Sequence, residues 1–174
     1  GVEDQMAYMH EICGDNHCAS FESADSPEQR DILWAARREA RNSIKLYHAG
    51  EILISGDVCL PISHFGEMVE YVHEVARDTG LQIYVFGHAG DGNLHTETII
   101  TRNDEAMARL GDEATERIVR RALSLGGTIA GEHGVGLAKK MFIEEEHGSA
   151  VDLMRAIKGA LDPRGIMNPG KIFP

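Results

Sequence analysis

The chain of 174 residues carries a formal net charge of −11 at pH 7, with 43% hydrophobic and 26% charged residues. This length and composition are typical of a soluble globular domain and exclude an intrinsically disordered chain. The acidic balance argues against nucleic acid as a partner, because nucleic-acid binding needs a basic face. No apolar run approaches the ~18–20 residues of a membrane span. Three cysteines are too few for a secreted disulfide scaffold, which predicts a cytoplasmic location.

The N-terminal part predicts two helices. Residues 1–13 carry Met6, Met9 and Ile12 at helical spacing. A second helix is predicted to begin at Ser26–Gln29, where a serine cap, a proline of the first turn and a glutamine form a capping box. Its apolar face comprises Ile32, Leu33, Ala36, Ala40 and Ile44.

Strands and helices alternate through the rest of the chain. Gly80 ends a helix capped by Ser63, and a hairpin turn is expected at Gly90–Asn93. One hairpin among alternating elements favours an α+β fold over a doubly wound parallel sheet. The predicted strands are 51–61, 81–86, 94–101 and 128–130, the predicted later helices are 103–125 and 151–161, and residues 162–174 are predicted to form an extended arm.

Two histidines flank the predicted hairpin turn. If residues 90–93 form the turn, His88 lies opposite His95 on the neighbouring strand, with both side chains on the same face of the sheet. Two imidazoles in that position can bind one metal ion. The spacing alone leaves a shared metal site and two unrelated histidines both open.

A second unusual segment is Gly131–Gly136, in which Glu132 and His133 stand between glycines. In an extended segment these two side chains point to opposite sides. One of them can then join the His88 and His95 metal ion while the other faces a substrate. Two histidines and one glutamate leave a coordination position open, as in catalytic metal sites. The glycine-rich segment 87–92 is predicted to lie between two strands, whereas a dinucleotide-binding loop runs from a strand into a helix, and a nucleotide-binding loop is rejected for both segments.

Three segments together resemble the C-terminal domain of FAD-linked oxidases, the D-2-hydroxyacid dehydrogenases that include glycolate oxidase and D-lactate dehydrogenase. They are Val85–His95, Ala130–Gly136 and Leu161–Lys171, and the resemblance covers nearly the whole chain, from the helix with Leu33–Arg37 to the C-terminal tail. It implies a ferredoxin-like α+β domain, spanning residues 1–174, that covers the flavin of a separate FAD-binding domain or subunit. It also implies an iron–sulfur electron-transfer subunit as a further partner, and thus a location in the cytoplasm or at the membrane periphery.

The resemblance assigns roles to individual residues. His88, His95 and Glu132 correspond to the ligands of a divalent metal, zinc in the better-understood relatives. His133 corresponds to the base that takes the hydroxyl proton, and Arg37 to an arginine that binds the substrate carboxylate. Asn168 corresponds to a segment that returns towards the flavin.

The sequence departs from some relatives at two positions. Ser55 stands where they have a substrate-binding lysine, and Glu97 stands where they have an asparagine. These departures favour a small hydroxyacid, glycolate or D-lactate, over a dicarboxylate such as 2-hydroxyglutarate. A free-standing metallohydrolase and a non-catalytic metal-binding module, each using the same histidine and glutamate site, are the alternative functions.

Overall fold

A computed structural model describes residues 1–173 and divides the chain into two compact units, one of residues Gly1–Tyr47 and one that begins at His48. The first unit contains α1 (Val2–Asp15) and α2 (Pro27–Tyr47), and neither helix buries a residue. The predicted start of α2 is confirmed, because the N–H of Gln29 donates to Ser26 Oγ at 3.2 Å.

The second unit contains a small sheet with helices. Ser63 does not cap a helix, because it lies within a single 3-10 turn at Ile62–His64 that leads into the helix Phe65–Thr79. The elements in chain order are β1 (Ile52–Cys59), α3 (Phe65–Thr79), β2 (Ile83–His88), β3 (Asn93–Ile100), α4 (Glu105–Ser124), α5 (Ile143–His147) and α6 (Ala150–Leu161).

The sheet is antiparallel with strand order β1-β3-β2. The predicted strand at 128–130 is shortened to one antiparallel bridge between Thr128 and Cys59 of β1. With that bridge as a residual fourth strand, the order of strands is that of a ferredoxin-like fold. The α+β prediction is therefore confirmed.

The two faces of the sheet differ in chemistry. Alternation along β1 and β3 places apolar side chains such as Val58 and Leu94 on the face that packs against α3 and α4. The opposite face carries buried polar side chains, with Asp57, His95 and Glu97 each at most 7% exposed. Burial of such groups costs free energy unless they are paired, so these side chains mark the polar face as a candidate functional site. Within residues 1–173, no helix combines the length and apolar character needed to cross a bilayer.

The turn between β2 and β3 lies one residue earlier than predicted. Residues Ala89–Asp91 form a 3-10 turn, closed by Gly92 at a φ of +71°. A Cβ at Gly92 would lie 2.0 Å from the carbonyl oxygen of Leu60, so glycine is required there. Because β3 already begins at Asn93, His88 pairs with Asn93. His88 and His95 are therefore diagonal neighbours on one face, and the predicted direct opposition is wrong.

Candidate metal centre and active site

Three side chains on the polar face bring their donor atoms together. His88 ends β2, His95 lies within β3, and Glu132 lies in the loop that follows the Thr128 bridge. Glu132 Oε1 is 3.0 Å from His95 Nε2 and 3.7 Å from His88 Nε2. One donor atom from each residue lies within 4.8 Å of the others, which is close enough for a shared metal ion.

This cluster is buried on one side and open on the other. The side chain of His95 is 8% exposed, whereas those of His88 and Glu132 are 41% and 52% exposed. Beside it lies a cleft of about 210 Å³, lined by Cys59, His88, Asp91, Asn93, Gly131 and Glu132. Pockets for drug-sized ligands typically measure about 300–1,000 Å³. The cleft therefore suits a smaller molecule.

The side chain of His133 also lies against the cluster of His88, His95 and Glu132. Its ring stacks on that of His95, with centroids 5.1 Å apart and an interplanar angle of 14°. Its Nε2 atom lies 3.5 Å from Glu132 Oε1. The assumption of an extended segment with diverging side chains is thus wrong, because the backbone here is folded around a buried carboxylate.

That carboxylate belongs to Asp57 of β1. The backbone N–H groups of Gly131, Glu132 and His133 donate to Asp57 Oδ2 at 3.0, 3.0 and 2.9 Å. Three consecutive N–H groups that converge on one oxygen form an anion-binding nest, which an extended strand cannot make. The loop therefore turns both Glu132 and His133 towards the histidines of the sheet.

Burial and charge set the protonation of these groups. Burial by itself raises the pKa of Asp57, but hydrogen bonds from the His133 N–H and from Asn93 outweigh it and hold the pKa well below its ordinary value. Burial lowers the pKa of His95, against the opposing effect of Asp57. Burial also lowers the pKa of Lys139, and Asp57 offsets part of that decrease. At neutral pH His95 is therefore a neutral imidazole whose lone pair can bind a cation.

The donor set fits a divalent metal. Two imidazoles and one carboxylate are ligands that zinc accepts in catalytic sites. Asp57 and Glu132 carry two negative charges against the one positive charge of Lys139, whose Nζ lies 3.5 Å from Asp57 Oδ2. The cluster is thus one charge negative. A divalent cation would make it one charge positive, which suits an anionic substrate.

The other two predicted site residues belong to other elements of the chain. Arg37 is exposed on α2, in the first unit. Asn168 is exposed in the C-terminal tail, at a φ of +48°. Their proposed roles stay predictions. The two positions that depart from relatives face each other across β1 and β3, where Ser55 Oγ donates to Glu97 Oε2 at 2.9 Å.

The sequence analysis missed Asp57, Asn93 and Lys139 as members of this cluster. Asp57 had a usable signal, because it is an acidic residue inside an otherwise apolar strand. Asn93 had been assigned to the turn, and its role depends on the actual register. Lys139 carries no local signal, since its contact with Asp57 joins residues 82 positions apart.

Comparison with known proteins gives a family. The profile described as "FAD linked oxidases, C-terminal domain" matches residues 2–172. Among curated proteins, the chain is 37% identical to "Probable D-lactate dehydrogenase, mitochondrial" of Danio rerio, over 99% of this chain and 35% of that protein. It is 39% identical to "Glycolate oxidase subunit GlcD" of Bacillus subtilis, over 99% of this chain and 36% of that protein. The chain thus spans about a third of the length of these relatives.

One solved structure shares the fold. It is 4-ethylphenol oxidase from Gulosibacter chungangensis, with a TM-score of 0.59 and 19% identity. The superposition covers 87% of this chain and 32% of that chain. At this identity the similarity shows the fold alone.

Proposed function

Because the chain belongs to the family of FAD-linked oxidase C-terminal domains, we propose that it is the substrate- and metal-binding domain of an FAD-dependent enzyme. The proposed reaction is oxidation of a D-2-hydroxyacid, glycolate or D-lactate, to the 2-oxoacid. The observation that carries the proposal is the approach of His88, His95 and Glu132 to within 4.8 Å beside a small open cleft. Curated relatives include proteins named for both substrates.

We propose that His88, His95 and Glu132 hold a divalent metal, with zinc as the expected ion. Such an ion supplies a Lewis acid and a positive charge for the carboxylate and hydroxyl of the substrate. The neutral His95 and the Glu132 carboxylate offer their lone pairs to it. The partial exposure of His88 and Glu132 leaves room for substrate on the solvent side.

His133 is the proposed general base. Its Nε2 atom lies 3.5 Å from Glu132 Oε1, so a hydroxyl bound next to Glu132 is within reach of this imidazole. We propose that the hydroxyl proton moves to His133 Nε2, while the flavin of an FAD-binding domain accepts the hydrogen on the α-carbon with its electron pair. Arg37 is proposed to bind the substrate carboxylate, and Asn168 to contact the flavin.

The proposed partners are that FAD-binding domain or subunit and, from the resemblance alone, an iron–sulfur electron-transfer subunit. The location proposed from the sequence is the cytoplasm, with peripheral attachment to the membrane through such a complex. Four of the curated relatives are named as mitochondrial proteins. A free-standing metallohydrolase or a non-catalytic module is less favoured, because the family is one of FAD-linked oxidases.

The test is flavin reduction by the chain joined to an FAD-binding domain, as one polypeptide or as two. Anaerobic mixing with D-lactate or glycolate should bleach the oxidised flavin, and L-lactate should do so more slowly. His133→Asn should slow bleaching about 10²–10⁴-fold, the usual contribution of a general base. His73→Asn, at an exposed position of α3, is the control. Equal rates for wild type and His133→Asn would contradict the assignment. Ester hydrolysis by the metal-loaded chain alone would favour the hydrolase.

A further inference from the structure

Asp57 is an acidic side chain in the interior of β1, and it is only 2% exposed. Burial of an ionised carboxylate is unfavourable unless charges and hydrogen bonds compensate it. Its position in a sheet strand, next to a cluster of histidines, calls for a physical reason. The reason lies in which groups its two oxygens contact.

One oxygen holds the loop that carries Glu132 and His133. Oδ2 accepts the three consecutive N–H groups of residues 131–133. The loop approaches so closely that a Cβ at Gly131 would lie 2.7 Å from Asp57 Oδ1 and 1.8 Å from Asn93 Nδ2. The conformation of this loop therefore depends on a carboxylate at position 57 and on glycine at position 131.

The other oxygen faces the sheet side of the cluster. Oδ1 accepts the amide of Asn93 at 2.7 Å and lies 3.5 Å from His95 Nδ1. That buried nitrogen has no hydrogen-bond partner within residues 1–173. The other ring nitrogen of His95, Nε2, faces Glu132. A small movement of the His95 ring towards Asp57 would allow Nδ1–H to donate to the carboxylate, which would fix the orientation of the ring and its tautomer.

Asp57 could instead be a metal ligand, because one donor atom each of Asp57, His95 and His133 also lies within 4.8 Å of the others. Its hydrogen bonds argue against this. Oδ2 already accepts three N–H groups, and Oδ1, which accepts Asn93, has His95 Nδ1 3.5 Å away as the group nearest to its second lone pair.

We propose that Asp57 is a positioning residue that holds Glu132 and His133 in place through the backbone and orients His95 through Nδ1. Lys139 supplies the counter-charge, since its Nζ donates to the Asp57 carbonyl and lies 3.5 Å from Oδ2. This inference rests on the proposed function, because the residues that Asp57 positions are the proposed metal ligands and the proposed base.

The first experiment compares Asp57→Asn with Asp162→Asn in zinc titrations of the chain by calorimetry. Asp162 is a matched control, because it is also buried, accepts two backbone N–H groups and pairs with a lysine, Lys158. We expect Asp57→Asn to weaken zinc binding 10–100-fold, the usual effect of losing a residue that orients a metal ligand. Asp162→Asn should keep wild-type affinity. Equal affinity of Asp57→Asn and wild type would overturn the proposal and leave the metal site intact.

The second experiment uses amide hydrogen exchange, which needs no zinc, and its first part needs only the wild-type chain. The N–H groups of residues 131–133 should be protected in the wild-type chain, although they lie in a loop. A folded Asp57→Asn variant should lose protection at these three positions and keep it in β3. Loss in every element would indicate a structural role only, and unprotected wild-type amides would overturn the proposal.

The two experiments separate this inference from the proposed function. A wild-type chain that binds no zinc contradicts the proposed metal centre, and the exchange of residues 131–133 then decides the role of Asp57. Zinc binding that is lost in His95→Ala but retained in Asp57→Asn supports the metal centre and contradicts the positioning role.

Discussion

At Gly131 the backbone passes so close to Asn93 and Asp57 that a larger residue does not fit. The hypothetical Cβ lies 1.8 Å from Asn93 Nδ2, well inside van der Waals contact. Both neighbours belong to the sheet and are themselves buried, so they cannot move aside without breaking their own hydrogen bonds. The position of the proposed metal ligand Glu132 therefore depends on its glycine neighbour.

We accordingly predict that Gly131→Ala displaces the loop. Overpacking of this kind costs about 1–3 kcal/mol of unfolding free energy, and zinc affinity should fall with it. Thermal unfolding and zinc titration measure the two effects. Gly90→Ala is the matched control, since a Cβ there meets no atom within 4 Å. It should change stability by no more than about 0.5 kcal/mol. Equal behaviour of the two variants would contradict the prediction.

Arg37 supports a second prediction at the residue scale. If its guanidinium binds the substrate carboxylate, Arg37→Ala should raise KM for the hydroxyacid more than it lowers kcat, because it removes ground-state binding. A hydrogen bond to a charged group contributes about 1.5–3 kcal/mol, which corresponds to a KM increase of about 10- to 150-fold. Steady-state kinetics with the FAD-binding domain present provide the test. Arg38→Ala, at the exposed neighbouring position of α2, should leave KM unchanged. An unchanged KM for Arg37→Ala would show that Arg37 has another role.

At the candidate site, the sequence predicted which histidine side chains share a face of the sheet. His88 and His95 are on one face in both the predicted and the observed register, because the two registers differ by an even number of positions. The role of Asp57 could not be predicted, since its partners in the loop lie 74 to 76 positions away. Hydrogen bonds of that sequence separation leave no periodic pattern.

At the scale of elements, local signals determined which helices and strands form, and tertiary contacts determined where they end. The predicted helix start at Ser26–Gln29 is confirmed by the hydrogen bond from the Gln29 N–H to Ser26 Oγ, but the capping box is not complete, because the Gln29 side chain accepts the N–H of Asp25 and not that of Ser26. The hairpin register was missed because the conformation of Gly92 is selected by its close approach to Leu60, on a different segment. The strand predicted at 128–130 is a single bridge because only Thr128 pairs with β1.

The segment after α6 supports a prediction about acid stability. Asp162 accepts the N–H groups of Ile166 and Met167 at 3.0 and 2.9 Å and pairs with Lys158. The hydrogen bond from Lys158, followed by that from the Met167 N–H, lowers the pKa of Asp162 below its ordinary value of 3.8. A lowered folded pKa stabilises the chain above the unfolded pKa, and this contribution is lost as the pH falls through the folded value.

Asp162→Asn should therefore lower the melting temperature at pH 7. The difference in melting temperature between this variant and wild type should shrink as the pH falls below about 3.8. Thermal unfolding across this range tests the prediction. Asp112→Asn, at an exposed position of α4, is the control and should have little effect at any pH. A difference between wild type and Asp162→Asn that stays constant down to the most acidic pH would contradict it.

At the scale of the whole molecule, all the buried apolar side chains among residues 1–173 belong to the second unit. The core comprises residues from Val58 to Val151, whereas α1 and α2 bury none. Trp34, the only tryptophan, lies on α2 and is 53% exposed. Its fluorescence therefore reports on the surroundings of α2, and circular dichroism reports on the helices of both units.

We predict two thermal transitions for the isolated chain. Trp34 should show the red-shifted emission of a solvated indole, and its change on heating should precede the main loss of circular dichroism, because helices without a buried face have little tertiary stabilisation. One coincident transition for both probes, with a blue-shifted emission, would contradict the prediction.

The proposed metal centre, in which His88, His95 and Glu132 hold an ion that binds the hydroxyacid, can be tested by pulsed electron paramagnetic resonance of the Mn²⁺-loaded chain. Mn²⁺ suits this measurement because it is paramagnetic and accepts nitrogen and oxygen ligands. We expect coupling to imidazole nitrogen that is reduced in His88→Ala and His95→Ala, and an added carbon-13 coupling when D-lactate labelled at the carboxylate is present. Bound Mn²⁺ without nitrogen coupling, or a spectrum that labelled D-lactate leaves unchanged, would contradict it.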